Sequence, residues 1–142
     1  MNRAWKAILG VTVVLGSCSM GDPAVQKASD FTGNEITYPL ASASEYNISG
    51  SVTLKEKKDG STVINIALNG MEGTEGLEFP VHLHYGNVAT DNAEIAAVLQ
   101  PVSGKTWESS TVLKTLTDES VIKFEDLKNA DACIKIHFAA TG

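Results

Sequence analysis

From Ile48 onward apolar and polar residues alternate with a period of two. Ile48, Val52 and Leu54 occupy even positions, and after Asp59-Gly60 the apolar residues Ile64, Ile66 and Leu68 again occupy even positions. Alternation of this kind turns one side of an extended strand to a core and the other to solvent. The two runs predict a hairpin, and parity decides its loop. For both apolar sets to share one face, the numbers of paired residues must sum to an even number. A two-residue Asp59-Gly60 turn pairs Lys58 with Ser61 and sets Leu54 opposite Asn65, on the wrong face. A three-residue loop, Lys58-Asp59-Gly60 with Gly60 left-handed in a G1 bulge, pairs Leu54 with Ile64 and Val52 with Ile66. The three-residue loop is the predicted one.

Further short elements follow, with turn signals at intervals of about ten residues. Asn69 to Gly76 is a glycine-rich connection, and Phe79 to Tyr85 is the next strand. Ala93 to Val98 has a composition that suits a helix, but its shortness between Asp91-Asn92 and Pro101 favours a strand. Thr106 to Leu116 and Cys133 to Phe138 are strands, with one helical turn at Phe124-Glu125-Asp126-Leu127 between them. The expected fold is all-β: a Greek-key β-sandwich or flattened barrel of about seven to eight strands. No internal repeat is present.

The first residues follow a different pattern. Arg3 and Lys6 precede the apolar run Ala7 to Leu15, which is too short for a membrane span of about 20 residues and matches a secretory signal core. It ends in Leu15-Gly16-Ser17-Cys18, which resembles the bacterial lipoprotein signal. That resemblance implies cleavage before Cys18, lipidation there, and a domain anchored to a membrane of the bacterial cell envelope and displayed outside the cytoplasm. The alternatives are an ordinary signal peptide or a short buried helix. The expected organisation is a signal peptide over 1–17, lipidated Cys18 and a flexible tether over 18–34, and one domain over 35–142. The 142 residues suffice for one core and not two. Loss of residues 1–17 would take the net charge from −6 to −8, which disfavours nucleic acid. Cys133 is then the only remaining thiol, expected as a small buried hydrophobe.

The candidate chemistry lies in three histidines. His82 and His84, in Val81-His82-Leu83-His84-Tyr85-Gly86, project from one face of a strand with Cα atoms about 6.5–7 Å apart. Val81, Leu83 and Tyr85 take the core-seeking face. On the last strand Ile134, Ile136 and Phe138 do the same, which leaves His137 off the core with Cys133 and Lys135. A metal held by His82, His84 and His137 would lie on the outer surface of a sheet, and neutral imidazole suits copper and zinc. Spacing leaves open whether the two strands are neighbours, and a His-x-His pair is also the ordinary wet side of an alternating strand. Other constellations are weaker. No serine sits in a Gly-x-Ser-x-Gly elbow. The acids at Asp118-Glu119 and Glu125-Asp126 lack calcium-loop spacing. Trp107 is read as packing.

The order of hairpin, glycine-rich loop, His-x-His-x-Gly strand and late strand ending in His137 resembles the CHRD domain and the copper/zinc superoxide dismutase fold. The stretches concerned are Ile48 to Gly70, Val81 to Gly86, Ile95 to Pro101 and Cys133 to Phe138. The dismutase resemblance implies that His82, His84 and His137 occupy copper-ligand positions. The departures are that no histidine lies between His84 and His137, no cysteine pair can form the dismutase disulfide, and no arginine follows His137. Both families continue into a final strand after this point, so the domain either lacks that strand or is truncated. The expectation is a non-enzymatic, lipid-anchored domain that binds copper, or less readily zinc. The alternatives are an interaction or structural module for a protein or glycan, and a copper-only dismutase-like enzyme.

Overall fold

A computed structural model describes residues 29–42, 47–90 and 93–138. The signal segment, Cys18 and the tether up to residue 28 lie outside the described residues. No described helix is long and apolar enough to cross a membrane. The elements are β1 (Phe31–Leu40), β2 (Ser49–Lys57), β3 (Thr62–Asn69), β4 (Glu78–Tyr85), β5 (Ile95–Ser103), β6 (Glu108–Leu113), α1 (Phe124–Lys128) and β7 (Ala132–Ile136).

The strands form two antiparallel sheets, of four strands in the order β1-β2-β3-β6 and of three in the order β5-β4-β7. The chain changes sheet after β3, after β5 and after β6, so β3 neighbours β6 in one sheet while β4 neighbours β5 in the other. The result is the expected all-β sandwich with Greek-key crossovers. Its core is built from the alternate residues of both inner faces. Val52, Leu54, Ile64, Ile66 and Leu68 meet Phe79, Val81, Leu83, Leu99 and Val102, with α1 adding Phe124 and Leu127. Tyr85 departs from the expected pattern: as the last residue of β4 it stands at the rim of the core and is 42% exposed. Trp107 packs on the core, its indole N–H donating to the Gly104 carbonyl at 3.1 Å. Between β1 and β7 the sheets part around a cavity of about 310 Å³ lined by Leu40, Val52, Leu54, Leu83 and Ile134.

The β2–β3 register is the one parity selected, with Val52 opposite Ile66 and Leu54 opposite Ile64. Lys57 N–H donates to Ser61 O at 2.9 Å and Gly60 N–H to Lys57 O at 2.8 Å, closing the three-residue loop with Gly60 at φ 88°. β1 begins at Phe31, inside the stretch read as tether. Phe31 pairs with Lys57, but continuous pairing starts only at Glu35 opposite Lys55, after an irregularity. β5 changes register against β4 twice, between Phe79 and Val81 and between Leu83 and His84. Pro101, which has no N–H to give a ladder, lies in the first of these breaks.

The β2–β3 loop has a copy elsewhere. At the turn after β6, Leu116 N–H donates to Ser120 O and Glu119 N–H to Leu116 O, both at 2.9 Å. In each turn an aspartate, Asp59 or Asp118, accepts from the amide and hydroxyl of the serine two residues on. Those bonds, the hydroxyl's first, hold both carboxyls below their ordinary 3.8. The turns differ at the left-handed position, where the second has Glu119 at φ 70° in place of glycine. A side chain there costs on the order of 1 kcal/mol. Glu119→Gly should therefore stabilise the domain by about 0.5 kcal/mol, net of glycine's greater unfolded-state freedom. Gly60→Ala should destabilise it by about 1 kcal/mol or more, because its Cβ would also fall 2.7 Å from Lys123 Cδ. Urea denaturation of both variants checks the opposite signs.

Candidate metal centre

β4 is the middle strand of the three-stranded sheet, and its period of two sorts its residues. Val81 and Leu83 are 0% and 3% exposed on the inner face, which leaves His82 and His84 on the outer one. The pairing of β4 with β7 supplies what spacing left open. Val81 lies opposite Ile136 and Leu83 opposite Ile134, both pairs inward, while His82 lies opposite Lys135 and His84 opposite Cys133, both outward. His137 follows directly, its backbone N–H donating to Pro80 O at 2.9 Å. All three predicted ligands thus share one outer face.

The imidazoles cluster there. Ring centroids are 4.9 Å apart for His82 and His137, 5.8 Å for His82 and His84, and 6.4 Å for His84 and His137. Each ring offers a nitrogen such that the three lie within 4.8 Å of one another, and no carboxylate or thiolate joins the group among the described residues. His84 is well enclosed, only 7% exposed. Its Nδ1 is 3.0 Å from the carbonyl of Ala93, in the connection between β4 and β5. A carbonyl can only accept, so in the neutral ring Nδ1 carries the proton and Nε2 a lone pair. That Nε2 is buried with no hydrogen-bond partner. A buried, unsatisfied acceptor costs about 1–3 kcal/mol unless something binds it.

Comparison with protein-family models, curated proteins and solved structures gives no match. The chemistry open to the site follows from its donors. Three neutral imidazoles are a sufficient protein ligand set for zinc or copper, with metal–nitrogen distances near 2.0–2.1 Å. A hydrogen bond from Nδ1 to a carbonyl, as His84 makes, is the kind of contact that fixes the tautomer of histidines that bind metals. Cys133 is half-buried on the outer face, where it was expected to be buried. Although opposite His84, it stays outside the cluster. The Ala93 carbonyl has no side-chain signature in the sequence, because any residue supplies one.

His82 is shifted below its ordinary 6.5, first by burial and then by the neighbouring His137 and His84, all of which disfavour its charged form. The unfolded chain therefore takes up the proton first, and stability rises with pH through this range. The metal-free domain should be most stable above 6.5 and should lose stability as pH falls from there through the lower folded value. Asp59 and Asp118 act only around and below 3.8, outside that window. Denaturation midpoints measured from about pH 7.5 to about pH 5 should show this slope, and His82→Gln should flatten it.

Proposed function

We propose that the domain is a metal-binding module of the cell envelope, anchored through lipid on Cys18, that holds copper, or less readily zinc, through His82, His84 and His137. The observation that carries this reading is the convergence of three imidazole nitrogens within 4.8 Å around a buried His84 Nε2 that no protein group satisfies. The ligand set leaves at least one coordination position for solvent or another ligand.

A second reading has its own support. The cavity of about 310 Å³ between β1 and β7 is lined largely by apolar residues and reaches the core, and a pocket of this kind suits the apolar anchor of a partner protein. The two readings separate on metal addition to the full chain, purified in detergent. Metal binding predicts one ion per chain, lost in the triple His-to-Ala variant. It also predicts stabilisation of about 2.7 kcal/mol at a free metal concentration about one hundred times Kd. A melting temperature unmoved by copper or zinc would overturn it in favour of the interaction module. Superoxide consumption by the copper-loaded chain would move the reading to a copper-only enzyme.

A further inference from the structure

On the outer face of the three-stranded sheet, one charged residue occupies a ladder position adjacent to those of all three histidines. Lys135 lies directly opposite His82 in the β4–β7 ladder. It is two residues before His137 on the same face of the same stretch, and diagonal to His84, whose own partner is Cys133. Opposite and diagonal neighbours on one face are about 4.5–8 Å apart, so an ion shared by the three rings would sit beside this residue. The ammonium reaches the β4–β5 connection: Nζ is 3.4 Å from the carbonyl of Thr90, in the same connection whose Ala93 carbonyl accepts from His84. Both ion pairs found among the described residues, Lys114 with Asp59 and Lys128 with Glu125, leave Lys135 out, and no carboxylate belongs to the ligand cluster. A metal bound here would therefore keep its full charge on a face that also carries a positive one.

Resting on the metal-binding reading above, we infer that Lys135 is a specificity-determining residue that biases the three-histidine site toward a monovalent ion, copper in its cuprous state, over divalent zinc or copper. The physical reason is Coulomb's law. The repulsion between the ammonium and the ion is proportional to the ion's charge, so at any distance and dielectric it is twice as large for a dication. Three neutral imidazoles offer no negative charge to offset it.

Two measurements are thereby related in a way that is independent of the dielectric. If removing the ammonium tightens cuprous binding by a factor f, it should tighten zinc binding by f squared. At about 7 Å in a water-like medium, f is about 2.7 and its square about 7. The test uses the full chain and Lys135→Leu, which keeps part of the apolar stem and adds no metal ligand. Cuprous affinity is measured anaerobically by competition with a chromophoric cuprous chelator, and zinc affinity by competition with a zinc indicator. Lys135→Gln, with its fold checked by circular dichroism, replaces the leucine variant if that one does not fold.

The expected result is tightening for both ions with the larger factor for zinc. Unchanged affinities, or equal factors for the two ions, would overturn the role of Lys135. If both metals are still lost in the triple His-to-Ala variant, the metal-binding reading survives that failure. If neither metal binds the unaltered chain, the reading and the inference fall together.

Discussion

Val81 and Leu83 are buried against the opposite sheet, and because successive side chains of a strand alternate, their burial dictates where His82 and His84 point. Each inward residue contributes about 1.5–3 kcal/mol by leaving water. A one-residue slip of β4 would bring two imidazoles into the core and put Val81 and Leu83 in solvent. The same holds on β7, where Ile134 and Ile136 face inward opposite Leu83 and Val81. Aligning these four apolar residues across the ladder leaves His82, His84 and His137 no choice but the outer face. The candidate site is thus a by-product of core packing.

Packing sets the direction of the rings, and the connection between β4 and β5 sets their chemistry. Its carbonyls reach two outer-face residues, Ala93 accepting from Nδ1 of His84 and Thr90 from the ammonium of Lys135. The first contact directs a lone pair into a buried place, and the second engages the ammonium of a residue on the same outer face. The desolvation that lowers the proton affinity of His82 would also lessen the competition of protons with any metal for its ring.

Much of this was legible in the residues. The parity of Val52, Leu54, Ile64 and Ile66 determined both the face and the loop length of the β2–β3 hairpin, because period two admits no intermediate register. The same parity placed all three histidines off the core. It did not say that β4 and β7 are neighbours, because a strand's own pattern carries no record of which distant strand will lie beside it. Only the ladder from Val81–Ile136 to Tyr85–Ala132 supplies that. The exposure of Tyr85 was hidden for a related reason: alternation gives a residue's face but not whether the opposite sheet extends far enough to cover it. The roles of the Ala93 and Thr90 carbonyls were illegible, since main-chain groups leave no mark in a sequence.

The three candidate ligands are not held equally. His82 and His84 belong to a strand paired on both sides, whereas His137 follows the end of β7, which is paired with β4 alone. An ion bound at about 2.0–2.1 Å by three nitrogens at trigonal or tetrahedral angles requires them about 3.3–3.6 Å apart. The span they now occupy, up to 4.8 Å, is wider. The central strand cannot supply that movement without disturbing Val81 and Leu83. It must come from side-chain rotation and from the His137 end, which a backbone bond to Pro80 ties to β4. Moving that end would draw on the binding energy of an ion, so affinity would depend on the backbone around His137 as well as on the imidazoles themselves.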